Sequence, residues 1–252
     1  MTLDVRTLAT TYYDGYHIEP HSHPWGQLIY AHSGVMRVSV AHRLWIVPPA
    51  RAVWAPPRTS HEIWAQGAFA MRTLYLAPRI ASLLSDECHA IEVSPLLREL
   101  ILHIVTLSML DSARKADRHL IGVLVALLRT TQQLPLSIKM PADRRARAVA
   151  ERLARNPGDA TELRMLAKET GASPRTLQRL FVAEAGLRFT QWRQRLRLLH
   201  AITLLGSGSS VTDAGYAAGY STTSAFIAAF RRQLGATPTR FLSNSARVTR
   251  VP

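Results

Sequence analysis

The stretch His-Ser-His-Pro-Trp-Gly-Gln at residues 21–27 sets two imidazoles one residue apart. On a strand, side chains at i and i+2 leave the same face, so His21 and His23 can converge. Paired imidazoles suit Zn, Fe, Ni or Cu. The same side chains could instead hydrogen-bond an organic effector, or simply pack inside a β unit, and the spacing leaves all three readings open.

A second kind of chemistry stands at Leu-Ala-Lys-Glu-Thr-Gly-Ala-Ser-Pro-Arg-Thr-Leu-Gln-Arg-Leu-Phe, residues 166–181. Helix formers run into Gly171, Ser173 can cap a new helix, and Pro174 suits its first turn. In that new helix Leu177, Leu180 and Phe181 share one face, while Arg175, Thr176, Gln178 and Arg179 project elsewhere. Arg can fork onto guanine and Gln onto adenine, each good pair contributing about 1–3 kcal/mol of discrimination. The plan recurs 49 residues later, with Phe226 and Phe230 in place of Leu177 and Phe181. There Thr222, Thr223 and Ser224 can touch phosphates or bases, Ile227 can meet a thymine methyl, and Arg231 suits a phosphate. The intervening helix, with Arg193, Arg195 and Arg197, reads as a rod whose arginines are phosphate contacts or solvated charges.

The elements that must position these groups follow from pattern. From Tyr12 to about Pro78 the chain is dense in Val, Ile, Trp and Tyr broken by Gly and Pro, which predicts short strands. After Pro78 helical spacing takes over, at Leu97, Leu100, Ile101 and Ile104, then at Leu120, Leu124, Leu127 and Leu128. These helices, about 94–110 and 114–134, are expected to join two copies of the chain through their apolar faces. A proline-marked linker is expected at 135–141, and a polar tail at 243–252.

Charge is uneven: residues 1–140 carry a net +3 and residues 141–252 a net +11. The basic part predicts a polyanionic partner, which charge alone does not choose. A single cysteine, Cys88, excludes an internal disulfide framework, and the longest apolar run, from Leu120, is far short of the roughly 20 residues a membrane span needs. A cytoplasmic chain without a membrane partner is expected.

With these residues in view, 141–242 resembles the DNA-binding domain of the AraC/XylS family of transcription regulators. The resemblance rests on Ala167, Gly171, Ser173, Gly186, Arg197, Leu198, Ala201, Gly219, Tyr220, Ser224, Phe226, Phe230, Gly235, Pro238 and Phe241. Gly215 departs from the family's usual alanine, which should weaken its helix by roughly 1 kcal/mol. Gly15, His21, His23, Gln27, Gly34, Pro56 and His61 resemble the cupin pattern, with Gln27 and Arg58 as departures. The resemblance implies an α+β chain: a cupin-like sensing β-barrel at 1–80, a helical dimerisation segment at 81–134, and an all-α DNA-binding domain with two helix-turn-helix units at 142–252. It further implies double-stranded DNA and RNA polymerase as partners, a homodimer, and a small-molecule or metal effector. Any cofactor would be a divalent transition metal at His21, His23, Gln27 and His61, and Trp25, Trp45 and Trp54 would line an effector pocket. A metal-dependent cupin enzyme carrying a DNA-binding module is the alternative, and a sequence-indifferent nucleic-acid coat is disfavoured by the paired reading helices.

Overall fold

The computed structural model describes residues 3–40 and 43–241, so the tail expected at 243–252 lies outside the described residues. By internal contacts these residues divide into two compact units, one of residues 3–40 and 47–136, the other of 43–46 and 137–241.

The first unit is sheet-rich. Strands β1 (Leu3–Tyr12), β2 (His17–His21), β3 (Gly26–Val40), β4 (Arg43–Val47), β5 (Arg51–Ala55) and β6 (His61–Leu76) follow in chain order, β4 falling almost wholly to the second unit. Helix α1 (Pro78–Ala81), strand β7 (His89–Glu92), helix α2 (Pro95–Leu107), strand β8 (Met109–Asp111), helix α3 (Lys115–Thr130) and strand β9 (Gln133–Leu134) complete it. The antiparallel path runs β8-β1-β6-β3-β5-β7-β9, with β2 added to β6. The long pair β3 and β6 is in register from Gly26 opposite Leu76 to Val40 opposite His61, broken by irregularities around Ser33.

One face of this sheet is closed by helices. Leu28, Tyr30, Trp54, Leu74 and Leu76 share a core with Leu97, Leu100, Ile101 and Ile104 of α2 and with Ile121, Leu124, Val125 and Leu128 of α3. Burial of each such side chain stabilises by about 1.5–3 kcal/mol. The apolar stripes expected to meet a partner copy are therefore spent inside the chain, and α2 and α3 belong to the strand unit rather than to a separate segment at 81–134. Both helices also stop early, at Leu107 and Thr130, where the chain turns to the edge strands β8 and β9.

The second unit holds β10 (Ser137–Lys139) and the helices α4 (Arg144–Arg155), α5 (Leu163–Glu169), α6 (Pro174–Leu180), α7 (Phe189–Gly206), α8 (Val211–Ala217) and α9 (Thr223–Leu234). Residues 137–139 are no free linker: they pair antiparallel with β4, Ser137 opposite Trp45 and Lys139 opposite Arg43. Trp192 Nε1 donates to Lys139 O at 2.8 Å and Arg195 Nε to Ser137 O at 2.7 Å, fastening this pair to α7. Trp192, Phe181, Phe226 and Phe230 are fully buried in this unit. Among the described residues no helix is long and apolar enough to cross a membrane.

Candidate nucleic-acid interface and histidine cluster

In the first helix-turn-helix, α5 ends in a turn where Gly171 takes φ 65° and Ser173 caps α6, its side chain accepting from Thr176 N at 3.1 Å. Leu177 is buried, which fixes the rotation of α6 and leaves Arg175 and Arg179 exposed. A π-helical turn, Phe181–Ala185, then prolongs α6 until Gly186 ends it at φ 73°. This turn buries Phe181 and sets Val182 half-exposed beside Arg179. An open groove runs along this face, lined by Ser173, Arg175, Thr176, Gln178, Arg179, Val182, Ala183 and Arg188. Gln178 is partly engaged: its Oε1 accepts from Phe189 N at 3.4 Å, which leaves the amide nitrogen and the second lone pair of Oε1 for a base.

The second unit repeats this build. Thr222 caps α9, accepting from Ala225 N at 3.1 Å, and Gly235 ends it at φ 75°. Its groove is lined by Ser224, Ile227, Ala228, Arg231, Arg232 and Thr237. Thr223 Oγ1 donates to Thr212 Oγ1 at 3.4 Å. Thr222 caps the helix and yet stands exposed, as do Ser224 and Arg231, while Thr223 is half-buried. Arg175, Arg179, Arg188, Arg231 and Arg232 make no ion pair among the described residues. Sequence reasoning missed Val182, Ala183, Arg188 and Thr237; the signal was the 49-residue offset, which carries 182, 183 and 188 onto 231, 232 and 237.

The arginines of the rod correct the sequence reading. Arg193 Nη2 donates to Thr161 O at 2.6 Å, and Arg197 donates to the carbonyls of Pro157 and Asp159, both at 3.2 Å. With Arg195 on Ser137 O, all three are held by backbone carbonyls. A guanidinium carries five donors, and here they close loops around α7. Gly215 gains a packing context: a Cβ there would lie 3.1 Å from Phe226, a close approach between α8 and α9 that opposes the propensity gain of an alanine.

In the first unit the three histidines do meet. β2 pairs with β6 so that His21 lies opposite His61, and His23 follows just past the end of β2. One ring nitrogen from each lies within 4.8 Å of the other two. Each Nδ1 donates to a backbone carbonyl: His21 to Glu19 at 2.8 Å, His23 to Trp25 at 2.8 Å, His61 to Thr59 at 2.9 Å. With Nδ1 donating, the neutral rings of His21 and His61 carry their lone pair on Nε2. His61 is 2% exposed, and its Nε2 has no hydrogen-bond partner among the described residues. Burial pushes its pKa from 6.5 down to about 4, with His21 and His23 adding to the effect against the opposing Thr59 contact, so the ring is neutral at pH 7.

Gln27 sits behind this cluster. Its Oε1 lies 3.0 Å from His23 Nε2, and its Nε2 donates to Thr73 Oγ1 at 2.9 Å. Both ring nitrogens of His23 thus face oxygens, so the Gln27 contact needs a proton on Nε2, and an ion taking Nε2 would displace that proton and the contact with it. The three tryptophans expected to line a pocket have different partners. Trp25 lies under the Arg6 guanidinium, Trp45 falls in the second unit on β4, and Trp54 donates to Ser85 O at 2.7 Å beneath α1.

Comparison with known proteins follows the same division. Residues 5–128 match the AraC-like ligand binding domain, and residues 166–244 match a helix-turn-helix domain. The HTH-type transcriptional regulator NimR of Escherichia coli K12 is 36% identical over 92% of this chain and 83% of its own length. RipA of Corynebacterium glutamicum, another HTH-type transcriptional regulator, is 43% identical over 40% of this chain and 31% of its own. A solved DNA-binding domain of AdpA, in complex with a target DNA, is 29% identical over 40% of this chain and 94% of that one, with a TM-score of 0.38. On the full-length similarity and the two matched domains, the chain belongs to the AraC family of helix-turn-helix transcription regulators.

Proposed function

We propose that this regulator senses a divalent transition metal through His21, His23 and His61, and reads DNA chiefly through Arg175, Gln178 and Arg179. The observation that carries the metal reading is the shared arrangement of three rings, each tied by Nδ1 to a backbone carbonyl, with a buried His61 Nε2 that no described residue satisfies. Carbonyls that hold Nδ1 in this way orient imidazoles for an ion, and three neutral imidazoles match Zn, Ni, Cu or Fe. The bound ion would supply a charge that couples occupancy to the shape of the sheet. The chain acts as a regulator rather than a catalyst, as its relatives' names describe them, and works where DNA is, in the cytoplasm. Dimer formation, with RNA polymerase as a further partner, falls to side chains still exposed on the first unit, Leu96 and Val123 among them.

The test is selection of sites from random double-stranded DNA with and without Zn²⁺, alongside metal content and thermal melting of the whole chain. Zn²⁺ should raise the melting temperature by mass action and change the affinity for the selected site, and His61→Ala should abolish both responses while the apo chain stays folded. Because protons compete for His61 Nε2 only near its lowered pKa of about 4, the His61-dependent metal response should persist at pH 6 and fade as pH falls toward 4. Absence of a metal response with an intact preference for one DNA site would remove the metal and keep the DNA reading.

A further inference from the structure

The first unit also contains a cavity of about 260 Å³ that is separate from the histidines. Across β3 and β5, Leu28 lies opposite Trp54 and both join the helix-covered core, whereas Gln27, next along the strand, reaches His23 on the other face. The cavity lies on the helix side, between β5, β7, the segment after α1 and the end of α3.

Its walls are of two kinds. Trp54, Leu84, Ile91 and Leu128 give an apolar body, and the Trp54 ring is locked by its bond to Ser85 O. Gly26 makes room for that ring, since a Cβ there would lie 2.3 Å from Trp54 Cη2. Arg129 and His89 supply the polar end. His89 Nδ1 donates to Glu87 O at 2.9 Å, so in the neutral ring Nε2 is left as an acceptor. Arg129 is exposed at its site and makes no ion pair among the described residues, and the lining holds no carboxylate. The volume lies below the roughly 300–1,000 Å³ of sites for drug-sized ligands, which limits the occupant to one or two rings or a short chain.

We infer that this cavity binds a small amphipathic monoanion, its apolar body against Trp54, Ile91 and Leu128 and its acid group on Arg129. The proposal is independent of the metal reading of the histidine cluster. It is tested by calorimetric titration of the whole chain with 2-naphthoate and with the uncharged 2-naphthamide. Naphthoate should bind once per chain, and Arg129→Gln should weaken it about tenfold, the loss of one charge-assisted contact, while leaving the amide unchanged. Leu83→Trp, placed on an exposed rim residue so that the core is undisturbed, should block both ligands without lowering the melting temperature. His61→Ala should leave naphthoate binding intact. No saturable binding of either compound, binding that neither Arg129→Gln nor Leu83→Trp changes, an equal loss for acid and amide in Arg129→Gln, or loss of binding in His61→Ala would each overturn the proposal.

Discussion

The two helix-turn-helix units are the same scaffold carrying opposite faces. At a constant offset of 49, Ser173 answers to Thr222, Leu177 to Phe226, Phe181 to Phe230 and Gly186 to Gly235, so caps, core contacts and ends coincide. The grooves coincide as well, yet their chemistry is inverted along the helix. The first has Arg175, Gln178 and Arg179 early and Val182 and Ala183 a turn later; the second has Ser224, Ile227 and Ala228 early and Arg231 and Arg232 later. Base edges are met mainly by the first turns of a reading helix. The positions that hold a fold together are therefore separable from those that read, and one unit is suited to hydrogen-bonded readout while the other is suited to methyl contact and phosphate grip.

The largest effect should come from the shared scaffold. Phe181→Ala and Phe230→Ala, both at fully buried rings, should each cost about 3–5 kcal/mol in chemical denaturation, and a loss confined to one of them would break the equivalence of the units. Next come the faces. Arg179→Ala should cost about 1–3 kcal/mol on the selected DNA site and relax choice at one position. Arg231→Ala should weaken selected and random DNA alike and lower the salt slope by about 1. Exchange of these two behaviours would reverse the assignment of reader and gripper. A smaller effect is expected at Gly215→Ala: helix propensity favours alanine by about 1 kcal/mol, but the 3.1 Å approach to the buried Phe226 opposes it, so melting should show no gain. A clear rise would show that Phe226 can yield. The smallest effect concerns the rod joining the units, where burial lowers the pKa of His200 from 6.5. The unfolded ring then takes up a proton at higher pH than the folded one, so its contribution is complete above 6.5 and declines as pH falls below it. His200→Leu should flatten that decline.

What was legible in the sequence was local or periodic. Ser173 with Pro174, the glycines at 171, 186 and 235, and the repeated apolar spacing dictate the reading helices almost residue by residue. His21 and His23 announce a shared face by alternation, and their meeting with His61 follows once β2 pairs with β6. What was not legible depends on distant pairing. Nothing near Arg43 or Ser137 announces that these segments form a ladder, and nothing in the tryptophan count says that Trp45 leaves its neighbours for the second unit. The rod arginines misled because a cation on a basic helix looks alike whether it faces phosphate or a loop carbonyl. The stripes on α2 and α3 misled because an apolar face does not specify whether sheet or partner will cover it.

The strand β4 has a consequence for modular exchange. Because Arg43–Ile46 pair with residues 137–139 and group with the helices, the DNA-reading half is not a contiguous piece of chain. Cutting at residue 142 discards both carbonyls that Trp192 and Arg195 use, together with the short strand that supports them. A graft of this reading half onto a foreign sensor would have to import two separated segments, so the boundary along which such regulators can be shuffled is a pair of cuts rather than one.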